Sequence, residues 1–232
     1  MLSTLKILLF SGVIFMQDNA TSQANMNAFI SQNGIPTLQN ERHDRAAKLV
    51  AQSSYVDLIE GDTTRALELL KEACNLEYGR ACWYYAYETQ KDEDALHAQK
   101  VLQQSCFAPS ANEYNGESCT YLGIMVSHNK ANITENEQEL YTRACELGDG
   151  WGCYRLASDF IIDEDTEQAK EIEDRALNIL TQACNNGEAA SCYFTGSIYS
   201  ESQDKQTKAR EFYEKGCKLG DGDSCDELKL GK

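Results

Sequence analysis

From about residue 63 onward, large and small apolar residues fall into a pattern that returns five times. Large residues stand at Leu70, Leu102, Tyr141, Leu180 and Tyr213. Four positions ahead of them stand Ala66, Ala98, Ala176 and Ala209, with Glu137 the one departure. A second set follows each of these. It begins at Tyr85, Leu122, Leu156, Thr195 and Leu228, with Ala86, Gly123, Ala157 and Gly196 beside the first four. Thr89, Val126, Phe160 and Tyr199 lie four further on. Steps of three, four and seven put each set on one face of an α-helix. Every return therefore predicts two amphipathic helices, with large and small residues alternating so that neighbouring helices interlock.

The turn between the paired helices is also legible. Leu147-Gly148-Asp149-Gly150 and Leu219-Gly220-Asp221-Gly222 place a glycine where a first helix ends in a left-handed residue, and Gly79 and Gly187 lie at similar offsets. The cysteines share this register. They stand at Cys74, Cys82, Cys106, Cys119, Cys145, Cys153, Cys184, Cys192, Cys217 and Cys225. Four consecutive pairs are eight apart, and Cys106 and Cys119 are thirteen apart. The first members are separated by 32, 39, 39 and 33 residues, the period of a helical repeat array. The first cysteine falls in the last turn of helix A and the second in the first turn of helix B. A short hairpin brings these turns together, so a bridge within each repeat is the expected pairing. Metal ligation fits poorly, because the gaps match neither Cys-x-x-Cys nor a nearby histidine partner. No metal and no cofactor are expected.

Residues 1–24 read as a signal peptide, with Lys6 ahead of the apolar run Ile7 to Phe15 and small residues at Ser22-Gln23-Ala24. Residues 25–62 read as a polar leader followed by a cysteine-free helical cap, which shields the apolar face of a first repeat. Five repeats then fill residues 63–232, starting near 63, 95, 134, 173 and 206, with polar linkers that include residues 163–174. The fold class is all-α, an α/α solenoid of about five disulfide-stapled repeats. A secreted or periplasmic location would supply the oxidising conditions in which such bridges persist.

Composition narrows the partners. The 232 residues hold 37 acids and 21 bases, a formal net charge of -16. That surface argues against nucleic acid and anionic lipid, and favours a basic protein or peptide partner. No run after the signal is long enough to span a bilayer, so no membrane insertion is expected, and a monomer is expected.

The stretches from Ala144 to Ala157 and from Gly216 to Cys225 resemble the SEL-type repeats, relatives of tetratricopeptide repeats, and specifically the Helicobacter cysteine-rich protein family. The likeness covers about residues 61–232. It implies one disulfide across each Cys-x7-Cys hairpin and a solenoid whose concave groove binds protein. It also implies, as the alternative, penicillin binding with slow β-lactam hydrolysis, and hence a cell-wall or β-lactam ligand. The glycine-rich inter-repeat loop of that family is absent here, its place taken by the polar linkers.

The catalytic alternative finds little in the residues. Ser127-His128-Asn129-Lys130 and Ser202-Gln203-Asp204-Lys205 match Ser-x-x-Lys, but neither Ser-Asp-Asn nor Lys-Thr-Gly occurs. His43, His97 and His128 are scattered, unlike a metallo-hydrolase set. Trp83, Tyr84 and Tyr87 fall off the repeat's core face and are the candidate groove residues.

Overall fold

The computed structural model describes residues 41–109, 113–162 and 166–230. The expected signal peptide and most of the expected leader lie outside these residues. The described chain is helical, with no strand among the described residues. Helix α1 (Glu41–Tyr55) runs into a π-helical turn, Val56–Glu60. Five hairpins follow: α2 (Thr63–Asn75) with α3 (Gly79–Thr89), α4 (Asp92–Cys106) with α5 (Glu113–Ser127), α6 (Glu137–Glu146) with α7 (Gly150–Ile162), α8 (Thr166–Asn185) with α9 (Ala189–Ser200), and α10 (Gln206–Lys218) with α11 (Gly222–Leu230). Each helix packs on the next in the chain, and each B helix also touches the B helix of the following hairpin. This is an α/α solenoid.

Local chemistry sets the ends of the elements. Asn136 accepts a bond from Glu139 N at 2.9 Å and donates its own backbone N–H to the Glu139 carboxylate, closing a capping box that starts α6. The A–B turns end on left-handed glycines, with φ 90° at Gly148, 98° at Gly187 and 95° at Gly220. Asp149 N and Asp221 N then reach back to Ala144 O and Gly216 O at 3.0 and 2.9 Å, satisfying carbonyls the helix leaves open. In the first hairpin the left-handed seat belongs to Glu77, φ 61°, and not to a glycine. Gly79 has a different task. It opens α3 where an added Cβ would lie 2.5 Å from Leu102 Cδ2. Helix α8 begins at Thr166, so part of the expected linker 163–174 is helical: Ala169 is buried and Ile172 packs on the core.

All ten cysteines are bridged within their own hairpins, with Cα–Cα distances of 4.4 to 4.7 Å. In the chain-entropy account a closed loop of this size contributes about 2.5 kcal/mol. Between hairpins, arginines bond to carbonyls at the staples. Arg143 Nε donates to Cys106 O at 3.0 Å, and Arg175 donates to Cys145 O at 2.9 Å.

The array curls until its two ends meet. Gly79 and Gly150, each three residues before a second cysteine, seat Leu102 and Leu180 from the next A helix; an added Cβ would lie 2.5 and 2.6 Å from them. Gly222 holds the same position in the last described hairpin. Its seat is filled by Leu58, from the π turn after α1. The N-terminal element thus caps the first repeat and, through the contact of α1 with α11, the last one as well.

Candidate functional site

Curling the array leaves a cavity of about 530 Å³ on its inner side. Every hairpin supplies its wall from the start of helix B: Arg80, Glu117, Trp151, Glu188 and Asp221 are examples. Helix α1 closes it with Val50, Ala51 and Tyr55, and the π turn adds Leu58.

The recurrence in sequence explains why these residues meet. Two positions before each second cysteine stand Arg80, Glu117, Trp151, Ala190 and Asp223. Two positions after stand Tyr84, Tyr121, Arg155, Phe194 and Glu227. These offsets are one helical turn apart, so stacking the B helices turns them into a ladder. At its first rungs Arg80 pairs with Glu117 at 3.4 Å, and the hydroxyls of Tyr84 and Tyr121 bond at 3.0 Å. At the later rungs Trp151 stacks on Phe194, with ring centroids 4.3 Å apart and planes 11° from parallel.

Carboxylates cap the helices that point into the cavity. Asp149 Oδ2 accepts from Gly152 N and from the Thr120 hydroxyl, both at 2.6 Å. Asp221 accepts from Ser224 N at 2.7 Å, and the Ser191 hydroxyl donates to Glu188 at 2.8 Å. Burial pushes the Asp149 carboxyl up to about 6, against the bonds from Thr120 and Gly152 that hold it down. Burial likewise raises Glu117, Asp221 and Asp223, and Arg80 is the cation that opposes the rise at each.

Trp83, Tyr84 and Tyr87 lie outside this lining. Trp83 is core, 7% exposed, with its ring 5.8 Å from that of Tyr87 and 6.1 Å from that of His128. Tyr84 is half-buried behind Arg80 and Tyr121, and Tyr87 is exposed. Neither serine of the Ser-x-x-Lys stretches reaches the cavity: the Ser127 hydroxyl donates to Ile124 O at the end of α5, and Ser202 lies in the turn after α9. His97 comes within 4.8 Å of the Cys74 and Cys82 sulfurs, but both are consumed in their bridge and present no thiolate.

A family model described as Sel1 repeat matches residues 55–78, 138–149 and 187–221. These three segments are similar to Sel1 repeats. The matched segments cover α2 with its turn, α6 with its turn, and the stretch through α9 and α10. Among solved structures, the crystal structure of a Sel1 repeat protein from Oxalobacter formigenes is similar, at 16% identity over 79% of this chain and 76% of that one, with a TM-score of 0.36. No curated protein matches the chain. Five disulfides fit an oxidising environment, and no described helix is long and apolar enough to cross a membrane.

Proposed function

We propose that this chain is a secreted or periplasmic scaffold whose Sel1 repeats bind a segment of a partner peptide or protein in the inner cavity. The observation that supports this reading is the cavity itself. Its volume falls in the range of ligand sites, about 300 to 1,000 Å³. Its wall mixes an apolar side, Val50, Leu58 and Phe194, with a few fixed polar groups such as Asp149. That is the chemistry of a recognition site, where apolar area gives affinity and placed polar groups give orientation. The staples hold the B-helix ends in place before the ligand arrives, which lowers the ordering cost of binding.

A β-lactam hydrolase of the serine type rests on resemblance to the Helicobacter cysteine-rich proteins alone, since the two candidate serines lie away from the cavity. The experiment is affinity capture with oxidised mature protein, alongside a sample reduced with dithiothreitol. A partner retained by the oxidised protein and lost on reduction supports a site built by the staples. Equal retention in both samples contradicts it.

A further inference from the structure

The cavity's charge names the chemistry of what it holds. The charged side chains in its described lining are one guanidinium, Arg80, and four carboxylates: Glu117, Asp149, Glu188 and Asp221. Glu117 engages Arg80 at 3.4 Å. Asp149 and Asp221 each stand at the start of a B helix. A helix N-terminus offsets roughly half a charge, so these two caps leave the cavity negative. Among the described residues no lysine or arginine forms an ion pair with Asp149 or Asp221. Both bonds that Asp149 takes from the protein fall on Oδ2, and Asp149 is part of the cavity wall. Next to these acids stand the stacked rings of Trp151 and Phe194, an apolar wall for a methylene stem.

Resting on the peptide-binding reading above, we infer that the cavity receives a lysine or arginine side chain of the bound peptide, its charged head among Asp149, Asp221 and Glu188 and its stem along Trp151 and Phe194. A half-buried carboxylate that lacks an ion pair is costly, and an entering cation supplies one. The chain's overall charge of -16 steers the same class of ligand toward it. The raised carboxyl of Asp149 fits the same picture: it is held in low-dielectric surroundings until a positive group arrives.

The test uses full-length mature oxidised protein and fluorescein-labelled peptides in fluorescence anisotropy. A library of random heptapeptides displayed on phage first selects binders. Each selected sequence is then synthesised as found and with every arginine replaced by citrulline, which keeps the shape and removes the charge, or every lysine by norleucine. The expected result is selection of basic sequences, at least tenfold weaker binding of the neutral analogues, and a similar loss in Asp149→Asn with Asp221→Asn, where asparagine keeps the helix caps. Selection of sequences without a basic residue, or equal binding of the neutral analogues, overturns the inference and leaves peptide binding standing. Recovery of no binder from the library overturns both. Spermidine that competes at concentrations below those of the best peptide also overturns the inference, because the occupant is then a free amine.

Discussion

The ring of Tyr213 occupies the space where Gly196 would carry a side chain. A Cβ added there would lie 2.7 Å from Tyr213 Cδ1 and Cε1, and 3.2 Å from Ala209 O. Gly123 and Tyr141 repeat the relationship two hairpins earlier, at 2.6 Å from Cε1. The equivalent positions in the other hairpins are Ala86 before Leu102 and Ala157 before Leu180. A glycine stands where the next repeat brings a tyrosine, and an alanine where it brings a leucine. Size is therefore matched across each inter-repeat contact.

The match makes a direct prediction. Gly196→Ala and Gly123→Ala each overpack the contact, with an expected loss of about 1 to 3 kcal/mol. The double substitution of Gly196→Ala with Tyr213→Leu restores the Ala–Leu combination used elsewhere in the array. Urea denaturation should show it to be more stable than the sum of its single variants by about 1 kcal/mol or more.

The staples should differ in accessibility. The Cys106, Cys119, Cys153, Cys184 and Cys192 side chains are completely buried, whereas Cys217 and Cys225 are only half-buried. Under limiting dithiothreitol, the bridge between Cys217 and Cys225 should open first. Differential alkylation with mass spectrometry reads the order. Opening the other bridges at the same rate would contradict the packing described above. Removing one bridge, as in Cys184→Ala with Cys192→Ala, should cost about 2.5 kcal/mol of stability.

Asp149 gives the fold a pH dependence. Its carboxyl, ordinarily at 3.8, sits at about 6 in the folded chain. Between those values the folded state holds a proton the unfolded state has released, so stability falls as pH rises through the window. The contribution is on the order of 3 kcal/mol. Glu117 on α5 and Glu188 ahead of α9 raise the group, or are raised by it, while Arg80 on α3 and the bond from Thr120 hold it down. Asp149→Asn keeps an acceptor for Gly152 N, and thermal unfolding between pH 4 and 6.5 should then show a shallower decline.

End-to-end closure is testable through Leu58. Leu58→Ala empties the seat at Gly222, so amide hydrogen exchange in α11 should accelerate while α6 and α7 keep their protection. Unchanged exchange in α11 would mean that the contact contributes nothing.

Much of the fold can be read from spacing because a repeat array builds every contact from the same few offsets. The large–small pattern and the cysteine pairs locate the hairpins, since both follow helical periodicity and a short turn. Helix α8 exceeds its expected start because Thr166 to Asp174 is polar enough to read as linker, and only packing shows Ala169 buried. The site is harder to read. Trp83, Tyr84 and Tyr87 attract attention as an aromatic cluster within one repeat, but a cavity at a solenoid's inner face draws one residue from each repeat. The useful signal is the position two before the second cysteine, compared across repeats: Arg80, Glu117, Trp151 and Ala190 hold it, while the last hairpin supplies Asp221. Closure by Leu58 carries no mark in the sequence, because it depends on the summed curvature of five hairpins.

The claim that the stapled repeats build an inner binding site is tested most directly by photo-crosslinking. A selected peptide bearing benzoylphenylalanine is irradiated with the oxidised protein, and the adducts are located by mass spectrometry. The account predicts adducts at Trp151, Phe194 and the inner face of α1. Adducts confined to the exposed faces of α4 and α10 would contradict it.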